Sequence, residues 1–119
     1  MRMDEAGITL RVELRADTLL GPGKAALLEG IRETGSIAAA GRRMGMSYKR
    51  AWYLIDTLNC SFREPLVEAS KGGKAGGGTR LTATGDAVLD GYRRMEAVAA
   101  KATAAEVARL GALLKPAEN

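Results

Sequence analysis

Residues 8–15 alternate with a period of two: Ile8, Leu10, Val12 and Leu14 fall on one side, and Thr9, Arg11, Glu13 and Arg15 on the other. That pattern predicts a strand with one face against a core. Leu20-Gly-Pro-Gly23 interrupts it, and Pro22 suits the first turn of a helix, where its missing N–H is not needed. From Lys24 to Thr34 the period becomes helical, with Ala26, Leu27, Leu28 and Ile31 on the apolar side and Glu29, Arg32 and Glu33 elsewhere. Gly35 is placed to end this helix as a left-handed cap. Ser36 then caps a short second helix, Ile37 to Met44, which stops at Gly45. Ser47 caps a third, running from Tyr48 to about Phe62, with Ala51, Leu54, Ile55 and Leu58 as its inner stripe. Trp52 lies beside that stripe and is expected in the core, and Cys60, late in the same helix, is expected to be a buried or semi-buried thiol.

Two short apolar runs follow. Residues 65–70 and 79–82 flank Lys71-Gly-Gly-Lys-Ala-Gly-Gly-Gly78, which predicts a hairpin over 65–82 with a basic, glycine-rich tip. Thr84 is placed to cap a last helix from about 85 to 114. On it Val88, Tyr92, Met95, Ala99 and Ala102 step by alternating fours and threes, a heptad-like stripe suited to a partner helix. Thr103-Ala-Ala-Glu106 has the form of a capping box, so a break and restart are expected there. The fold class is therefore mainly α with a small β-hairpin, a single domain over 1–119 with an N-terminal strand and a long C-terminal dimerisation helix.

Composition narrows the function. The 119 residues include no histidine and one cysteine, so Cys/His zinc sites, Ser-His-Asp triads and Cys-His dyads lack their parts. No local motif supplies a general acid/base pair either, and the expectation is not an enzyme. No apolar run reaches the ~20 residues of a membrane span and no leader pattern opens the sequence, which points to the cytoplasm. The formal net charge is +4. Between Ser36 and Arg80 eight basic residues (Arg42, Arg43, Lys49, Arg50, Arg63, Lys71, Lys74 and Arg80) face only Asp56, Glu64 and Glu68, so the middle of the chain carries the basic excess.

Three helices, the second and third joined at a glycine, and then a hairpin make the order of a winged helix-turn-helix, here with the helix-turn-helix over about 36–62. Such a unit needs a small residue where the second helix of the pair crosses the first, and apolar residues around the turn. Gly41, the flanking Met44 and Met46, and the inward Ala51 and Leu54 meet those needs. The start of the recognition helix, Ser47, Tyr48, Lys49 and Arg50, then presents donors to a major groove. Lys71, Lys74 and Arg80 place cations on the wing, where glycine lets the backbone approach phosphates. A P-loop is excluded, because Lys74 is followed by Ala75 rather than Ser or Thr. Ser36 and Thr79 are candidate phosphate contacts; for Arg42 and Arg43 a phosphate contact and a plain surface charge fit equally.

The segments Gly35-Ser-Ile-Ala-Ala-Ala40, Met46-Ser-Tyr-Lys-Arg-Ala-Trp52, Ile55-Asp-Thr-Leu-Asn59, Pro65-Leu-Val-Glu68, Gly72-Gly-Lys-Ala-Gly-Gly-Gly78 and Leu81-Thr-Ala-Thr-Gly85 resemble the N-terminal DNA-binding domain of the ModE family of molybdate-responsive transcriptional regulators, itself related to the LysR-type winged helix-turn-helix. The resemblance implies a homodimer on a near-palindromic operator of double-stranded DNA, regulation of genes for molybdate or tungstate uptake or for molybdoenzymes, and a dimer interface that includes Val88, Tyr92, Met95 and Ala99. The family's molybdate-binding modules have no counterpart in these residues, so no cofactor is expected in this chain, whether it is a stand-alone member or a fragment. The alternative is a winged-helix module that contacts protein; such domains typically lack the basic helix start and basic wing present here.

Overall fold

The computed structural model describes residues 6–70 and 78–117. Its elements run β1 (Val12–Arg15), β2 (Thr18–Leu20), α1 (Pro22–Thr34), α2 (Ile37–Arg43), α3 (Tyr48–Ser61), β3 (Val67–Ser70), β4 (Gly78–Leu81) and α4 (Ala83–Gly111). The strand expected over 8–15 is shorter and has a partner that the sequence did not announce. β1 pairs antiparallel with β2, Val12 opposite Leu20 and Glu13 opposite Leu19, and the register shifts before Arg15 meets Thr18. The extra residue in that shift is Leu14, which turns outward and is exposed. Residues 8–11 keep their alternation of half-buried and exposed positions without joining the ladder.

Pro22 stands in the first turn of α1, as its fixed φ favours, and Gly35 ends the helix at φ +71° with its N–H on the Ile31 carbonyl. The α2–α3 turn is built the same way: Gly45 has φ +70°, and the Met46 N–H returns 3.0 Å to the Gly41 carbonyl. Close approach explains the small residues around it. A Cβ on Gly41 would lie 3.0 Å from the Ala51 Cβ, and one on Gly30 2.8 Å from the Ala40 Cβ, so α2 is clasped between α3 on one side and α1 on the other. Leu27, Leu28, Ile31, Ile37, Ile55, Leu58, Leu66 and Leu89 fill the space that these crossings enclose, with Met44, Met46 and Leu54 packed at its edge.

Asn59 fastens the hairpin to this core. Its Oδ1 accepts from the N–H groups of Leu66 (2.8 Å) and Val67 (3.1 Å), and its Nδ2 donates to the Val67 carbonyl. β3 and β4 then pair antiparallel from Val67 opposite Leu81 to Ser70 opposite Gly78. The cap of α4 is Thr82 rather than Thr84: its hydroxyl accepts from the Gly85 N–H at 3.0 Å and donates to the Pro65 carbonyl. The expected break at 103–106 is absent. Thr103 sits inside the helix and donates its hydroxyl to the Ala99 carbonyl, while Glu106 pairs forward with Arg109. A capping box needs a preceding non-helical residue, and no glycine or proline supplies one here.

Two arginines lock α1 to α4. The Arg32 guanidinium reaches Asp86 and Asp90, each at 2.9 Å, and Arg93 bridges Glu29 on α1 and Glu96 on its own helix. Both guanidinium groups are held above their ordinary range, chiefly by the bonds to Asp90 and Glu96 respectively. Beyond this clamp the leading segment at residues 6–8 lies alongside α4 as far as Val107 and Ala108, and the molecule measures 54 × 34 × 23 Å. No helix of the described residues is long and apolar enough to cross a membrane.

Candidate nucleic-acid interface

The start of α3 is the exposed corner of the molecule. Ser47 caps it by accepting the Arg50 N–H at 3.1 Å, which fixes the first turn and leaves the hydroxyl proton available to donate. Tyr48, Lys49 and Arg50 are all exposed. Among the described residues Lys49 and Arg50 form no ion pair, and the Arg50 guanidinium lies over the Tyr53 ring, 5.8 Å from its centre. The contrast with Arg32 and Arg93 is electrostatic sorting: cations at the α1–α4 seam are neutralised by acids, while those at the helix start keep their field.

Two side chains here escaped the sequence reading. Trp52, expected in the core, is 44% exposed, and its Nε1 donates to the Tyr48 hydroxyl at 2.6 Å. Tyr53 is 62% exposed on the outer face. Ala51, Ile55 and Leu58 already complete the buried stripe, and at 100° per residue positions 52 and 53 turn away from it. The helical period puts Tyr53 on the outer face and Trp52 on the flank of the stripe, so the size of the indole predicts a core that its position does not reach. Cys60 is likewise exposed rather than buried.

Between α3, the start of α2 and the base of the hairpin lies a shallow cleft of about 330 Å³ lined by Gly35, Ser36, Ala38, Tyr48, Trp52 and Thr79 among others. Ser36 caps α2 by accepting the Ala39 N–H at 3.0 Å. Thr79 gives its N–H to the Gly35 carbonyl, whereas its buried hydroxyl has no partner among the described residues. The two α2 arginines separate in kind. Arg43 is paired with Glu33 of α1; Arg42 is exposed and has no ion pair among the described residues. On the hairpin Arg80 stands across from Glu68 at 3.7 Å. Lys71 and Lys74 lie outside the described residues.

The stripe expected at a dimer contact divides in two. Tyr92 is 1% exposed within the single chain, its hydroxyl donating to the Leu10 carbonyl at 2.7 Å, and Val88 packs against the same core. Their spacing reads equally as a seam to another chain or to this chain's own leading segment, and that segment occupies it. Met95 and Ala99, together with Val98, instead border an open apolar groove of about 760 Å³ alongside Leu10 and Val12. Among the described residues no cluster of three or more His, Cys, Asp or Glu could hold a metal ion.

A clasped helix pair, an exposed and capped second helix of that pair, and an antiparallel hairpin behind it define a winged helix-turn-helix. A solved structure described as "Crystal structure of CbnR_DBD-DNA complex" has this fold, with a TM-score of 0.57, 25% identity, and coverage of 73% of this chain and 94% of that one. Residues 24–86 match the family described as "Bacterial regulatory helix-turn-helix protein, lysR family", and the chain belongs to it. Among curated relatives, the molybdenum-pterin-binding protein MopA of Rhodobacter capsulatus is 45% identical over 83 residues, 70% of this chain and 31% of the relative. The transcriptional regulator ModE of Yersinia pestis is 38% identical over 98 residues, 82% and 37% respectively. The Escherichia coli K12 protein described as "DNA-binding transcriptional dual regulator ModE" is 35% identical over the same length. The chain spans about a third of the length of these relatives.

Proposed function

We propose that this chain is the DNA-reading part of a dimeric, ModE-like transcriptional regulator acting on genes of molybdate or tungstate uptake or of molybdoenzymes. The observation that carries the proposal is the capped start of α3, where Tyr48, Lys49 and Arg50 are exposed and Lys49 and Arg50 form no ion pair among the described residues. In this reading Ser47, Tyr48, Lys49 and Arg50 enter the major groove, with Arg50 donating to guanine O6 and N7. Lys71, Lys74 and Arg80 engage the flanking backbone from the wing, and Ser36, Arg42 and Thr79 hold phosphates beside the cleft, while Arg43 serves mainly to hold α2 to α1. The relatives' names, with ModE and a molybdenum-pterin-binding protein among them, support the choice of genes. The chain acts by binding, without catalysis and without a cofactor of its own, in the cytoplasm.

The partner in this assembly is a second copy meeting the Met95, Val98 and Ala99 face of α4, on a near-palindromic operator whose half-sites lie in successive major grooves. Electrophoretic mobility shift of a duplex recovered from a random pool, at two salt concentrations, tests the DNA reading. Arg50→Ala is expected to weaken binding by about 1 to 3 kcal/mol and relax the preference at one base pair. Lys74→Ala is expected to weaken all duplexes alike and to lower the salt slope by about 0.9. Unchanged affinity and salt dependence in both variants would return the chain to the protein-contact alternative.

A further inference from the structure

Trp52 stands one turn into α3, part-exposed on the flank of the buried stripe, where with Tyr48 it lines the cleft toward Ser36 and Thr79. An indole has a single polar hydrogen, and here it is already donated to the Tyr48 hydroxyl at 2.6 Å. What Trp52 offers to a groove is therefore carbon alone. Tyr48, accepting from the indole, keeps its own proton to donate outward. The bond also ties two side chains four residues apart into one plate, so little rotamer freedom remains to be lost on contact.

A hydrocarbon plate at the start of a recognition helix has few counterparts on a duplex. Phosphates call for charge or N–H donors, which Trp52 no longer has, and the edges of guanine, adenine and cytosine in the major groove are polar. The one protruding apolar group there is the C5-methyl of thymine. We infer that Trp52, held by Tyr48, is a specificity-determining residue that packs on a thymine methyl in each half-site, reading a base by apolar contact while Arg50 reads another by hydrogen bonds. The inference rests on the DNA-reading function proposed above.

The probe is the duplex that the full chain recovers from a random pool, resynthesised with deoxyuridine at each thymine in turn, which removes the methyl and nothing else. At one thymine per half-site the substitution is expected to weaken binding about fourfold, the value of burying one methyl-sized group. With Trp52→Ala, thymine and uracil at that position should bind equally. With Trp52→Phe, which keeps an aromatic face, a preference for thymine should persist, and because the buried stripe of α3 is Ala51, Ile55 and Leu58 rather than Trp52 the fold should tolerate either change. Uracil tolerated at every position by the unaltered chain overturns the inference while leaving the DNA reading intact. So does a Trp52→Ala chain that loses affinity but still prefers thymine, since the indole would then rest on deoxyribose. Failure to recover any duplex overturns both.

Discussion

At the scale of single residues, the fold depends most on places where a side chain is missing. Gly41 lies so close to Ala51 that a Cβ there would sit 3.0 Å from the Ala51 Cβ and force one of the two helices to give, and there the helix-turn-helix is defined. Gly41→Val is expected to cost about 1 to 3 kcal/mol through overpacking, measurable as a lower urea midpoint, and to weaken DNA binding by misaligning α3. Tyr92 shows the opposite case, a large polar-tipped residue wholly inside. Burial, with Glu96 beside it, raises its phenol above the ordinary value of 10.0, against a smaller lowering by Arg93. The fold thus favours the neutral phenol. That contribution is complete below the ordinary value and is lost as pH rises through the raised one, once the unfolded chain ionises first. Tyr92→Phe is expected to cost about 1 kcal/mol near neutrality, because the Leu10 carbonyl loses its donor, and to reduce the alkaline decline in stability followed by thermal unfolding.

At the scale of elements, the helices announced themselves and the strands did so only partly. Ser36, Ser47, Gly35 and Gly45 are signals confined to one turn, and each acts where the sequence put it. β2 has three residues, Thr-Leu-Leu, too few to show a period before Gly21 and Pro22 end it. The continuity of α4 through Thr103 was hidden by a motif whose chemistry depends on what precedes it. The start of the recognition surface was legible because cap and charge are local. The outward side of Trp52 is not legible from residue type, because a large aromatic suits a core as well as a surface and only helical position separates the two. One element-level connection is testable directly. Asn59 alone supplies three hydrogen bonds that fasten β3 to the end of α3. Asn59→Ala leaves those backbone groups unsatisfied, and we expect a loss of about 1 to 3 kcal/mol with faster amide hydrogen exchange across the hairpin.

At the scale of the whole molecule, the asymmetry of shape follows from α4. Its first turns belong to the core, whereas further along it Val98, 68% exposed, and Leu110 meet solvent, as do Leu113 and Leu114 just past its end. Apolar groups placed successively along one element favour association over solvation. Val98→Glu puts a charge into the proposed contact, and sedimentation equilibrium should show the dimer dissociation constant rising on the order of tenfold or more. A dissociation constant unaffected by the change would move the contact elsewhere. The unbroken passage of α4 through Thr103 also has a mechanical meaning. At 29 residues the helix is about 43 Å long, and about 27 Å of it lies beyond Arg93, so a tilt of about 7° where Arg32 and Arg93 clamp it displaces the far end by roughly 3 Å, close to the rise of one base pair. In the proposed dimer this stiff lever makes operator spacing answer to angles at its root, and a hinge at Thr103 would have dissipated that gearing.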